Sequence, residues 1–150
     1  MLVNDRFDVA LAAGAAGVHL RGDSVEAASV REAVPPQFVV GRSVHTIDEA
    51  EAAARGGGCD YLVFGTVYQS EGKPAGHPVA GEAALATVCR QVALPVLAIG
   101  GVDASRASAV AAAGAAGLAA IGAFMTGDEA ALAARVRAMR ETFDRGSPLV

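Results

Sequence analysis

The stretch Ala12–Arg21, AAGAAGVHLR, returns in altered form as AARGGGCDYLVFG from Ala53 and as AAGAAGLAAIG from Ala112. Each copy runs from an Ala-rich amphipathic segment through a glycine and a short spacer into a β-type apolar run. The glycine suits the left-handed residue that ends a helix, and the run after it is short enough for a buried parallel strand. The repeated unit is therefore helix then strand. Two further apolar runs, FVVGRSVH from Phe38 and LPVLAIGG from Leu94, open into polar or glycine residues and read as strands as well. With LVN at the start, strands are expected near Leu2–Asn4, Gly17–Arg21, Phe38–Ser43, Tyr61–Gly65, Pro95–Gly100 and Leu118–Gly122, with helices between them and a last helix over roughly Asp128–Phe143.

Helix starts carry a second mark, Ser, Thr or Asp followed three residues later by Glu. Asp23/Glu26, Thr46/Glu49 and Thr126/Glu129 fit it. Strict alternation predicts an α/β fold with a parallel sheet, and no strand leads into the G-x-G-x-x-G turn of a dinucleotide-binding sheet. A (β/α)8 barrel of TIM type is expected, as one domain over residues 1–150. Eight units need roughly 200 residues or more, and six are visible, so the reading is a barrel short of its first two βα units.

Composition narrows the function. The chain is 53% hydrophobic, enough for a sizeable core, and its formal net charge of −4 offers no basic field for nucleic acid. Its longest apolar stretch, Val110–Met125, is Ala- and Gly-rich and too short to span a membrane. Cys59 and Cys89 fit no metal or redox spacing, and with no signal-peptide pattern the expected compartment is the cytoplasm.

In a barrel the chemistry sits at the C-terminal strand ends. There the sequence places Asn4-Asp5-Arg6, His19-Leu20-Arg21, Arg42-Ser43-Val44-His45, Gly65-Thr66, Gly100-Gly101 and Gly122-Ala123. Glycines after the last two strands let backbone N–H groups approach an anion, which makes Gly100, Gly101, Gly122 and Ala123 candidates for binding phosphate, or else simply tight turns. The segment from Thr66 to about Gly81 is far longer than an ordinary βα connection and reads as a lid carrying Tyr68, Ser70, His77 and Lys73, the only lysine of the chain. His45 lies two residues beyond Ser43, so the two project to one face if the strand persists, and a histidine at that position can move protons near neutral pH. His19, within a strand, reads as structural, and Asp23 as a helix cap.

Taken together, VNDR (3–6), GVHL (17–20), GRSVHTIDEA (41–50), DYLVFGTVY (60–68), PVLAIGGV (95–102) and the later AAIGAF resemble the thiamine phosphate synthase/TenI family in order and spacing. The resemblance implies a (β/α)8 barrel with Met1 in the third strand. It also implies one of two activities on a thiazole phosphate carboxylate. The synthase joins it to a pyrimidine diphosphate with Mg2+, releasing diphosphate and carbon dioxide; the TenI-type tautomerase shifts a proton to aromatise the thiazole and needs no cofactor.

For a synthase the resemblance assigns Asp5 to the metal and Asn4 to the neighbouring diphosphate, while its GQED stretch is replaced by the shorter Arg21-Gly22-Asp23. Its Thr-Thr-Thr-Lys lid becomes Ser70-Glu71-Gly72-Lys73, keeping the lysine as a phosphate contact. GRSVH is closer to the tautomerase, making His45 the acid/base with Arg42 and Ser43 beside the substrate. Tautomerase is therefore the first expectation, synthase the second, and an incomplete, non-catalytic member the third. Full-length members of the family are expected to form homodimers.

Overall fold

The computed structural model describes residues 1–70, 73–74, 76–125 and 127–147. Six parallel strands lie side by side in chain order: β1 (Leu2–Asn4), β2 (Gly17–Leu20), β3 (Val39–Val44), β4 (Tyr61–Phe64), β5 (Val96–Ile99) and β6 (Gly117–Ala119). Helices α1 (Phe7–Ala12), α2 (Ala27–Ala33), α3 (Ile47–Gly56), α4 (Gly81–Gln91) and α5 (Ala107–Ala112) connect them, and α6 (Glu129–Gly146) follows the last strand. Every neighbouring pair is parallel with a helical crossover, as the repeat predicts.

Strand alternation divides the sheet into two faces. Val18, Leu20, Val40, Val44, Leu62, Phe64, Val96 and Ala98 are buried on the face that the helices cover. His19, Gly41, Ser43, Tyr61 and Val63 alternate with them on the other, inner face, and are in register as His19↔Gly41↔Tyr61 and Ser43↔Val63. The helix-side core forms two clusters. One, around Val18, Val30, Phe38 and Val40, lies under α1 and α2; the other, around Leu62, Phe64, Leu85, Val88 and Val110, lies under α3 to α6, and Cys59 packs against both.

Arg31 of α2 ties these halves. Its guanidinium donates to the Phe38 carbonyl at 2.7 Å, the Gly58 carbonyl at 3.3 Å and Asp60 Oδ2 at 2.6 Å, while the same Asp60 oxygen accepts from the Val40 N–H at 2.7 Å. Arg31→Ala strands these acceptors at a half-exposed site, where solvent screens part of the loss. The expected destabilisation is about 1–2 kcal/mol, read from chemical denaturation midpoints.

Helix starts agree with the sequence in one place and differ in another. Thr46 caps α3, accepting the Glu49 N–H at 3.1 Å, and Glu49 reaches back to accept the His45 N–H at 2.7 Å. Asp23, however, does not cap α2, whose first turn follows Glu26. Instead Ser24 closes a tight turn, its hydroxyl accepting the Arg21 N–H at 2.8 Å, and Asp23 turns its carboxylate to the Arg21 guanidinium at 3.3 Å. Thr126 lies outside the described residues; α6 is capped by Asp128, which accepts the Ala131 N–H at 2.8 Å. The last strand also stops earlier than expected. Its pairing ends at Ala119, and Gly122 opens a 3-10 turn (Gly122–Phe124) rather than closing the strand. No helix among the described residues is long and apolar enough to cross a membrane. Both cysteines are free thiols, and burial pushes both up from their ordinary range.

Candidate functional site

At the end of β1 the ladder runs one residue further than the strand, with the Asp5 N–H donating to the His19 carbonyl at 2.9 Å. Asp5 takes a left-handed backbone, φ 66°, which Asp tolerates better than most residues. Its carboxylate accepts the Ser24 hydroxyl on one oxygen, and Arg21 stands 3.8 Å from the other. Asn4 beside it is exposed. A left-handed residue held on two sides by β2 and its turn is a fixed carboxylate, not a flexible one.

Next to this corner, three side chains meet on the inner face. His19 Nε2 is 2.8 Å from Ser43 Oγ and His19 Nδ1 is 3.0 Å from Tyr61 Oη, with the two rings stacked at 5.7 Å between centroids. Tyr61 reaches across β3 only because Gly41 stands between: a Cβ there would fall inside the edge of the phenol ring. Burial lowers the basicity of His19 and raises the Tyr61 phenol above its usual range, so both sit neutral. His19 is thus half-buried in a polar chain; Tyr61 was not among the residues singled out from the sequence.

His45 follows β3. Its Nδ1–H donates to the Gly65 carbonyl at 2.5 Å, which leaves Nε2 as the nitrogen that can exchange a proton. Arg42, Ser43 and His45 line one cleft of about 270 Å³, together with Gly22, Glu26 and Glu49. Within it Arg42 is committed elsewhere. Strand alternation sets it opposite Ser43, its side chain only 12% exposed, and its guanidinium donates to the carbonyls of Gly22 at 3.1 Å and Val25 at 3.2 Å, with Glu26 at 3.7 Å. Expected as a substrate contact, it clamps the turn after β2 instead, because an arginine on the helix-facing side meets backbone carbonyls there rather than the strand mouth.

The expected phosphate cradle lies apart from that cleft. Gly100 and Gly101 do adopt left-handed angles, φ 97° and 62°, but the space a side chain would fill is taken by the segment after β4. A Cβ on Gly100 would sit 2.6 Å from Thr66 Cγ2, and one on Gly101 2.9 Å from Tyr68 Cβ. Tyr68 is itself clasped. Its N–H donates to the Gly100 carbonyl at 3.0 Å and its hydroxyl to Glu82 at 2.8 Å, while Arg106 lies over its ring at 4.7 Å and donates to the Gly101 carbonyl at 2.5 Å. Burial and the neighbouring Glu82 carboxylate push the Tyr68 phenol up to about 12. The side-chain space beside both glycines is therefore filled by protein. Gly122 is open, with nothing near the position of a Cβ, whereas Ala123 is half-buried against the core and its carbonyl accepts from Arg135. Lys73 is exposed on the lid segment; Glu71, Gly72 and Ala75 lie outside the described residues.

The family model described as thiamine monophosphate synthase matches residues 1–124. A thiamine-phosphate synthase of Anaeromyxobacter dehalogenans is 44% identical over 142 residues, covering 94% of this chain and 64% of that protein. One from Methanospirillum hungatei is 41% identical over 134 residues, covering 89% and 65%. The chain thus spans a little under two thirds of the length of these curated relatives. Among solved structures, thiamine phosphate pyrophosphorylase from Pyrococcus furiosus superposes with a TM-score of 0.81 at 30% identity, over 97% of this chain and 67% of that one. The 3-hexulose-6-phosphate synthase of Salmonella typhimurium shares the fold at a TM-score of 0.72 and 16% identity, over 94% and 67%. By the match over most of its length, and by the six-stranded parallel α/β sheet that it shares with the Pyrococcus enzyme, this chain belongs to the thiamine monophosphate synthase family.

Proposed function

We propose that the chain acts in thiamine biosynthesis as a thiamine phosphate synthase, joining a pyrimidine diphosphate to the thiazole phosphate carboxylate. The observation that carries this reading is the Asp5 corner, a carboxylate fixed at a strand end in a chain whose curated relatives are named for that activity. It reverses the order expected from GRSVH alone, where the tautomerase came first.

Mg2+ suits this corner as a guest rather than a caged ion. Among the described residues no three His, Cys, Asp or Glu converge as a metal site. Mg2+ is commonly held by one or two carboxylates with the rest of its shell from substrate phosphates and water, so Asp5 is a sufficient protein ligand for a metal that arrives with a diphosphate. The ion would supply charge neutralisation on the departing diphosphate. The protein's own part is to hold Asp5 rigid through Ser24, to leave Asn4 exposed beside it for the same diphosphate, and to present Lys73 from the lid and the Gly122-Ala123 turn to the phosphates.

Asp5→Asn keeps the shape and removes the charge, so Mg2+-dependent diphosphate release should fall by roughly 100-fold. His45→Ala should leave that rate close to wild type. Undiminished release in Asp5→Asn would sink the synthase reading.

A second reading, the tautomerase, is supported by one specific contact. The Gly65 carbonyl fixes His45 with Nε2 as its acceptor, the form in which an imidazole takes up a proton. That reading expects metal-independent proton exchange on the thiazole phosphate, lost in His45→Ala and untouched in Asp5→Asn. Wild-type protein that carries out neither reaction would leave the non-catalytic reading standing.

A further inference from the structure

The chain Tyr61–His19–Ser43 can carry its hydrogens in two directions, and the structure distinguishes them. In the first, the Tyr61 O–H donates to His19 Nδ1 and the His19 Nε2–H donates to Ser43 Oγ, leaving the serine hydrogen free. In the second, Ser43 donates to Nε2 and the Nδ1–H donates to Tyr61, leaving the phenol hydrogen free. A neutral imidazole has one N–H and one lone pair, so the two cannot mix. Neutrality follows from the surroundings. Neither ring nitrogen meets a carboxylate among the described contacts, and burial lowers the basicity of the ring.

Position and acidity select the first direction. Position comes first: Ser43 lies one residue from the C-terminal end of β3, at the strand mouth, whereas Tyr61 is the first residue of β4 and paired with Gly41, deeper along the sheet. A hydroxyl left without an acceptor is costly when buried and harmless where a ligand or water can reach it. Partnership by itself favours neither direction, since His19 is the one hydrogen-bond partner, among the described contacts, of both the Tyr61 and the Ser43 hydroxyl. Acidity decides between the two hydroxyls, since a phenol is a much stronger donor than an aliphatic hydroxyl and takes the imidazole lone pair in competition with it. The empty Cβ position at Gly41 is what admits the phenol to that lone pair at all.

We propose that Tyr61 is a positioning residue that fixes the tautomer of His19, with Nε2 protonated, and so holds Ser43 as a hydrogen-bond donor to the strand mouth. The site then takes an acceptor atom at Ser43, an unprotonated ring nitrogen or an oxygen anion, and disfavours a ligand presenting an N–H or O–H there. This goes beyond the choice between synthase and tautomerase, and its test does not depend on either.

The experiment is two-bond proton–nitrogen correlation of the imidazoles in 15N-labelled protein, held above the pH at which the ring protonates. With three histidines in the chain, loss of one set of signals in His19→Gln assigns the ring. The expected wild-type pattern has Nε2 protonated and Nδ1 unprotonated. Ser43→Ala should keep that pattern, because the tyrosine sets it. Tyr61→Phe should shift the ring substantially toward the Nδ1-protonated form, since Ser43 can then donate to Nε2. A wild-type ring protonated at Nδ1, a Tyr61→Phe ring with the wild-type pattern, or a change of tautomer in Ser43→Ala would each overturn the proposal, whatever the chain catalyses.

Discussion

Phe64→Ala is expected to destabilise the fold by about 3–5 kcal/mol, the cost of emptying a fully buried aromatic site that its neighbours cannot refill. Phe64 is the largest of the fully buried side chains, on the helix-facing side of β4 in the larger core cluster. In a chain of this length such a loss corresponds to a fall in melting temperature on the order of 10 °C. Urea denaturation should show a lower midpoint with an unchanged slope, because the same surface is exposed on unfolding. Phe64→Leu keeps most of the volume and should cost under about 1.5 kcal/mol. If alanine and leucine cost the same, the cavity argument fails. The residue also precedes Gly65, whose carbonyl fixes the His45 ring, so any activity that depends on His45 should decline in Phe64→Ala beyond what the unfolded fraction explains.

Gly101→Ala is the second large effect, and it couples stability to the lid. The left-handed angle disfavours any side chain by roughly 1–2 kcal/mol, and the new methyl would also meet Tyr68 Cβ and the Gln69 carbonyl. A total loss of about 2–4 kcal/mol is expected, with displacement of Tyr68 from Arg106 and Glu82. Gly122→Ala is the contrast. That position has open space around it and no left-handed angle, so the melting temperature should move little. Tyrosine fluorescence and thermal melts of the two variants check this; equal melting temperatures would mean that the segment after β4 does not rest on Gly101.

How much of this was legible depended on whether the signal was local. The repeat of Ala-rich helix, glycine and apolar strand located three strands and further short apolar runs the other three, with Leu2–Asn4 reproduced residue for residue. Thr46/Glu49 is a local exchange of two hydrogen bonds and is found as expected. The Ala- and Gly-rich run after Ala116 carries too little side-chain contrast to show where pairing stops, so β6 was drawn too long. Asp23 had the spacing of a cap, but Arg21, two residues away, took its carboxylate.

In the site the non-local partners were the ones missed. His19 and Tyr61 are 42 residues apart, and nothing near either tells of the other. Gly41 was the available clue, a glycine inside a strand at the position level with both. Arg42 shows the complementary lesson. Once Ser43 is set on the inner face, alternation alone sends Arg42 to the helices.

The two-part core has a consequence for how substitutions combine. Changes confined to opposite clusters, such as Val30 of α2 and Leu85 of α4, lie in separate parts of the core and should add in their effects. Changes at the seam, in Arg31, Asp60 or Cys59, alter the footing of both halves at once. The seam is therefore where the effect of one substitution depends most on which others the chain already carries.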